Sequence, residues 1–227
     1  KEALRYFTKA IRINPKLSAA FSARGMVKAK LKDYKGAFSD YEKALAIDPN
    51  SDLAYDARAQ TKKDLQDYKG ALNDINKAIA LKPTNVDLLY KRASIKVLLE
   101  DDNGALSDIE KVIKIDPNSA RAFHSRGSLK SLLEDYRGAK LDYKKALKID
   151  PQYYEAYISL AKLKKSSKRY KSAISDLTKA IKINPKNFST YAFRGKLKKE
   201  IGDIKGACSD YNQYLYQNPN TGDKTKN

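Results

Sequence analysis

Seven prolines stand in this chain, at Pro15, Pro49, Pro83, Pro117, Pro151, Pro185 and Pro219, and each follows the last by 34 residues. They are all the prolines it has. Proline lacks an amide donor and pushes the residue before it out of the helical region, so it stops helices. Seven evenly spaced stops therefore mark the ends of seven like units. With no strand alternation inside the interval, such a period signals a solenoid, in which each unit leaves an apolar face that only its neighbour can cover.

The residues between the stops read as two helices. After each Pro comes an aromatic or Leu (Phe21, Tyr55, Leu89, Phe123, Tyr157, Tyr191), and four later a small residue (Gly25, Ala59, Ala93, Gly127, Ala161, Gly195). Apolar residues continue at spacings of three and four, which gives an amphipathic helix A with one point of close backbone approach. A turn of the type Asp-Tyr-Lys-Gly, as at Asp33 to Gly36 and Asp67 to Gly70, is expected to end it. Helix B is then expected to open on the alanine of every copy: Ala3, Ala37, Ala71, Ala105, Ala139, Ala173 and Ala207. A large residue follows four on (Phe7, Tyr41, Ile75, Ile109, Tyr143, Leu177, Tyr211), then a small one (Ala10, Ala44, Ala78, Val112, Ala146, Ala180). Small, large, small is what two close antiparallel helices require.

A unit of this length with aromatic, Gly/Ala, Ala, aromatic, Ala and Pro in these places resembles the tetratricopeptide repeat over nearly the whole chain. The resemblance implies an all-α, right-handed superhelical solenoid of antiparallel helix pairs. Its concave side would be lined by helix A and would hold a peptide or a partner domain. A half repeat (helix B alone) is expected at 1–17, full repeats at 18–51, 52–85, 86–119, 120–153, 154–187 and 188–221, and a disordered tail at 222–227. The unbroken period reads as one domain. Lacking an initiator Met and opening on helix B, the chain reads as a piece of a longer protein.

Enzymatic signatures are missing. One His and one Cys supply neither a catalytic constellation nor a metal site, and no glycine-rich phosphate loop or nucleophile elbow occurs. No enzyme activity, cofactor or metal is expected. Cys208 is alone, so no internal disulfide can form, and it sits where other copies have Leu4, Phe38, Leu72, Leu106 or Ile174, which predicts a buried thiol. Mean hydropathy is −0.68, and no stretch is long and apolar enough to span a membrane. That reads as a soluble chain, with the cytoplasm the favoured compartment.

One recurrence lies outside the hydrophobic pattern. Helix A carries Arg24, Arg58, Arg92, Arg126 and Arg194, with Leu160 the exception, and four later Lys28, Lys62, Lys96, Lys130, Lys164 and Lys198. Helix B answers with Asp40, Asp74, Asp108, Asp142, Asp176 and Asp210. Cations and acid recurring together predict an internal ladder across each helix pair, in preference to a basic stripe awaiting a polyanion.

Net charge is +19, and repeats 120–153 and 154–187 hold 17 basic against 6 acidic residues. The densest run, Lys162 to Lys171, also breaks the repeat's rules: Ser167 replaces Leu31, Leu65, Leu99, Leu133 or Ile201, and Arg169 replaces the turn Asp. A core position surrendered beside a charge reversal suggests function. At the other end of the array, Tyr214 and Gln217 replace small and apolar residues, which suits a terminal unit.

Tetratricopeptide domains that clamp a chaperone's C-terminal carboxylate use Lys and Asn, then Asn, then Lys and Arg on three successive helices A. The first matching window here holds Ser22, Met26, Ala57, Asp87 and Lys91, and no later window fits better, so a carboxylate-clamp ligand is not expected. The favoured partner is a protein or peptide segment, acidic or extended. By analogy the groove residues are Tyr90, Lys91, Arg121, His124, Lys162, Lys165, Arg169, Phe193, Lys196 and Lys199. Two aromatics among basic side chains suit acidic and apolar anchors. The alternatives are nonspecific binding of nucleic acid or an anionic membrane through the basic face of 120–187, and a homo-oligomeric assembly unit.

Overall fold

A computed structural model describes residues 2–216. Among them are thirteen helices and no strand. Their contacts form two units. The first holds α1 (Glu2–Ile13), α2 (Ser18–Lys30), α3 (Tyr34–Ile47), α4 (Asp52–Asp64), α5 (Tyr68–Leu81), α6 (Val86–Leu98) and α7 (Asp102–Ile115). The second holds α8 (Ala120–Leu132), α9 (Tyr136–Ile149), α10 (Tyr154–Ser166), α11 (Tyr170–Ile183), α12 (Phe188–Glu200) and α13 (Ile204–Tyr216). None of these helices is long and apolar enough to cross a membrane.

Within each unit the architecture is one motif repeated. A helix A pairs with the helix B that follows it, as α2 with α3 and α10 with α11, and that helix B packs on the next helix A, as α3 on α4 and α11 on α12. The core runs through these contacts. Ala37, Ala44, Ala71, Ala78, Ala105, Ala139, Ala146 and Ala173 are wholly buried, and Tyr41, Ile75, Leu177 and Leu197 fill the space between them. The small slot on helix A has a steric cause: a Cβ on Gly25 would lie 2.6 Å from Tyr41 Cε1.

The turn between the paired helices differs from the sequence expectation. Helix B opens three residues earlier than its alanine, at Tyr34 rather than Ala37, and the glycine lies inside it. Asp33 is the N-cap, and its Oδ1 accepts from Gly36 N–H at 2.9 Å. Asp67 and Asp135 cap α5 and α9 in the same way. The left-handed residue is instead Lys32 (φ 64°), matched by Gln66, Glu100, Glu134, Lys168 and Gly202. A Cβ on Gly36 would sit 2.3 Å from Asp33 Oδ2, so the glycine lets the capping carboxylate keep this orientation. The motif is a cap with clearance for a carboxylate.

Two further expectations are corrected. Cys208 is exposed. The half-buried Phe38, Leu72 and Ile174 lie on helices B that pack on a following helix A, whereas α13 meets no later helix among the described residues. The position of Ser167 is not core either, since Leu31, Leu65, Leu133 and Ile201 are all exposed there, at 38–53%. Pro219, Gln217 and the expected tail at 222–227 lie outside the described residues, while Tyr214 is half-buried on α13.

Candidate functional site

Arg and Lys four apart on helix A share one face, and the paired helix B sets an Asp against both. Asp40 accepts from Arg24 Nε at Oδ2 (2.8 Å) and from Nη2 at Oδ1 (2.7 Å), and Lys28 Nζ lies 2.8 Å from the same Oδ2. The triad recurs as Arg58/Lys62/Asp74, Arg92/Lys96/Asp108, Arg126/Lys130/Asp142 and Arg194/Lys198/Asp210. All these carboxylates are buried. Burial is the largest single influence on Asp40, Asp74, Asp108 and Asp142 and pushes each carboxyl up. The hydrogen bonds and charges of the Arg and Lys together outweigh it and hold these four below the ordinary carboxylate range. This basic stripe is internal wiring, as the sequence pattern predicts.

The exceptions in 154–187 have local causes that sequence reading missed. Three guanidiniums reach back with Nη1 to the residue sixteen earlier: Arg24 to Thr8 Oγ1 at 3.5 Å, Arg92 to Asn76 Oδ1 at 2.9 Å and Arg194 to Thr178 Oγ1 at 3.1 Å. Sixteen before Leu160 stands Lys144, so an arginine there would meet a like charge. Leucine removes the conflict and leaves Asp176 with Lys164 alone, at 2.6 Å. Likewise Arg169 makes no side-chain cap on α11, and the glycine three later has become Ser172. Once the carboxylate is gone, the clearance it required is gone too.

The ten residues singled out from the sequence fare differently. In the first unit, Tyr90 is half-buried on α6, and Lys91 is already neutralised by Asp56, with Nζ 2.6 and 2.7 Å from its two oxygens. In the second unit Arg121 is exposed on α8. His124 acts as packing: its Nε2 lies 2.9 Å from Ser159 Oγ on α10, and its ring is tilted against Tyr143 and Tyr153 at 5.4 and 5.3 Å. Burial lowers its pKa below the usual histidine value. Glu155 opposes that shift and Lys162 reinforces it.

Lys162, Lys165 and Phe193 come together. With Ile158, Ser166, Ser189 and Thr190 they line a recess of about 550 Å³ between α10 and α12. Ile158 and Phe193 pack on the buried cluster of Ala161, Ala173, Leu177 and Leu197, so the apolar wall is continuous with the core. Lys196 and Lys199 line a separate depression with Glu200 and Tyr211. Lys162, Lys165, Lys196 and Lys199 are all exposed, and none forms an ion pair among the described residues. Arg169 stands apart, in a smaller hollow with Lys140, Leu160 and Lys164. Ile158 and Thr190 went unread in the sequence because their types suit any helix. The usable signal was register: Ile158 is one turn before Lys162, and Thr190 is one turn before Phe193.

Models of the tetratricopeptide repeat match residues 18–51, 53–85, 86–119, 120–153 and 154–187. The chain belongs to the tetratricopeptide repeat family. Among solved structures it resembles a tetratricopeptide repeat protein from Parabacteroides merdae at 20% identity, covering 94% of this chain and 84% of that one, with a TM-score of 0.74. PilW, a type IV pilus biogenesis factor, is 20% identical over 90% of this chain and 94% of its own, with a TM-score of 0.73. YrrB, described as having an unusual peptide-binding site, is 23% identical over 81% and 95%, with a TM-score of 0.62. At these identities the likeness shows the fold alone, an all-α solenoid of tandem antiparallel helix pairs. No curated protein matches the chain significantly.

Proposed function

We propose that this tetratricopeptide chain is a protein-interaction scaffold that holds an extended, acidic segment of another protein on the helix A face of its second unit. The observation that carries this reading is the recess between α10 and α12, where unneutralised Lys162 and Lys165 stand beside the apolar wall of Ile158 and Phe193. Lys196 and Lys199 extend the cationic track along α12. The contrast with Lys91, cancelled by Asp56 in the first unit, supports a segment engaged mainly by the second. A peptide-binding site on YrrB, a chain of the same fold, agrees with this use. Binding without turnover is the whole of the proposed role.

Rim lysines stay solvated, so they contribute association rate and orientation more than affinity, and their effect fades with salt. The test is titration of a labelled Asp/Glu-rich peptide against the wild-type chain and against Lys162→Glu/Lys165→Glu. The expected loss is at least about tenfold at low salt, shrinking at high salt. Lys32→Glu/Lys35→Glu, an equal charge change at the exposed junction of α2 and α3, should bind like wild type. Equal losses in both variants, with heparin or duplex DNA competing as well as the peptide, would replace this reading with nonspecific attraction of polyanions.

A further inference from the structure

The solvent side of α9 carries cations and no acid. Its exposed residues are Arg137, Lys140, Lys144, Lys145 and Lys148, together with Tyr136 and Leu141. The one carboxylate on the helix, Asp142, is buried and already committed to Arg126 and Lys130. None of the five cations forms an ion pair among the described residues, and Lys145 lies over the Phe123 ring, 5.7 Å from its centroid. At 3.6 residues per turn these cations and Leu141 share an arc of about 140°, with Leu141 among them. Arg169, also exposed and without an ion pair, shares a hollow with Tyr136 and Lys140 and adds a cation beside this face.

Three positions on the arc depart from the repeat. Lys140 stands where Phe38, Leu72, Leu106 and Ile174 are half-buried. Leu141 is 62% exposed where the other full repeats place an exposed Ser39, Asn73, Ser107, Ser175 or Ser209. An apolar residue has thus left a packing position, and another has appeared in water. Lys144 replaces a residue that elsewhere accepts from the ladder arginine, as Thr8, Asn76 and Thr178 do. The ladder gives up its cation at Leu160 while Lys144 keeps one outside. Each change adds charge or apolar area to the same outward arc.

A helix face of this composition fits the surface of a bilayer. Lysine stems lie along the acyl boundary while their ammonium groups reach the lipid phosphates, and clusters of this size on one helix are drawn to anionic lipid. A leucine in their midst gains by leaving water for the acyl region. Duplex nucleic acid would engage the cations equally well, but contacts to a phosphate backbone leave Leu141 in water. We propose that the outward face of α9 docks on an anionic membrane, with Leu141 entering between lipids and Arg137, Lys140, Lys144 and Lys148 on their phosphates. None of these residues lines the α10–α12 recess, so the surface does not depend on the acidic-segment reading.

The test sediments the 227-residue chain with vesicles of phosphatidylcholine alone and with about one-third phosphatidylserine, at about 0.15 M salt. The wild type should bind only the anionic vesicles. Leu141→Ser leaves the charge unchanged and installs the residue type of the other copies, and it should weaken partitioning about tenfold. Lys140→Glu/Lys144→Glu should weaken it at least about tenfold. Lys35→Glu/Lys43→Glu, the same charge change on the exposed side of α3, should stay within about twofold of wild type. All these positions are exposed, so circular dichroism should show unchanged helix content in every variant. Equal losses from the α9 and α3 pairs would reduce the binding to net charge and overturn the proposal. Wild-type affinity in Leu141→Ser, with duplex DNA displacing the vesicles, would overturn it in favour of a nucleic-acid surface. Failure of the wild type to bind the anionic vesicles would overturn it outright.

Discussion

Truncating Asp108 to alanine would strip the α6–α7 pair of the carboxylate that three donors share. Arg92 reaches it through Nε at 2.8 Å and Nη2 at 2.5 Å, and Lys96 Nζ lies at 2.9 Å. Asp108 is fully buried, while the side chains of Arg92 and Lys96 keep 13% and 17% of their exposure. Removing one partner of a buried ion pair costs about 3–5 kcal/mol, mainly because the remaining charge stays desolvated. Here the cations retain other bonds, Arg92 to Asn76 Oδ1 and Lys96 to Gly104 O, and some access to water. The expected loss is therefore at the lower end, about 3 kcal/mol. Asp56→Ala, which breaks the half-exposed pair with Lys91, should cost only about 0–1 kcal/mol. Repeat arrays can lose two-state behaviour, so urea melts should be paired with amide exchange read on α6 and α7. Replacing the whole triad, as Asp108→Leu/Arg92→Leu/Lys96→Met, should recover much of the loss, because the penalty lies in stranded charge. Equal small shifts for Asp108→Ala and Asp56→Ala, with no recovery in the triple variant, would refute this account of the ladder.

Other outcomes follow from the same geometry. Because Asp40, Asp74, Asp108 and Asp142 are held below the ordinary value of 3.8, the unfolded chain takes up protons first on acidification. The stability these carboxylates contribute should be intact above about pH 4 and be lost as the pH drops through the folded values, with Asp108→Ala flattening that slope in an acid titration followed by circular dichroism. His124 is held below its ordinary 6.5, so the unfolded state again binds the proton first, and stability should decline as pH falls below about 6.5. His124→Gln should abolish that part of the profile, measured as melting temperature between pH 7 and 5. Gly36→Ser should destabilise by about 1 kcal/mol or more by crowding the Asp33 cap, and by much less in an Asp33→Arg background. Additive losses in a double-mutant cycle would contradict the proposed coupling of cap and clearance.

The proline interval and the aromatic, small and alanine positions were enough to read the helix pairs, because each residue type answers a packing demand that recurs in every copy. The ladder was legible for a related reason: cations at one spacing and acids at another can be periodic together only if they meet. The turn was misread because Asp-Tyr-Lys-Gly looks like a turn of its own, whereas its last three residues already belong to helix B. Here Lys32 and its counterparts carry the left-handed conformation, and Gly36 clears space for Asp33. Cys208 was misplaced because a position buried in one copy depends on the helix beyond it. Thr190 went unread because threonine near a helix start is common, and only its register one turn before Phe193 pointed to the recess.

The irregular segment around Lys162–Lys171 now separates into parts with different causes. Leu160 answers to Lys144, and Ser172 becomes permissible once Arg169 has replaced the capping Asp, so each departure has a neighbour that accounts for it. Ser167 occupies a position that is exposed in most other copies, where losing a leucine costs little. None of these changes requires a ligand. Lys162 and Lys165 differ from them in forming no ion pair among the described residues. Their exposed ammonium groups stay hydrated at no cost to the fold, which leaves them available to an outside carboxylate. The ladder, by contrast, holds each helix pair through Arg, Lys and Asp positions that do not line the recess. Residues that do face it are thereby free to be chosen for a partner.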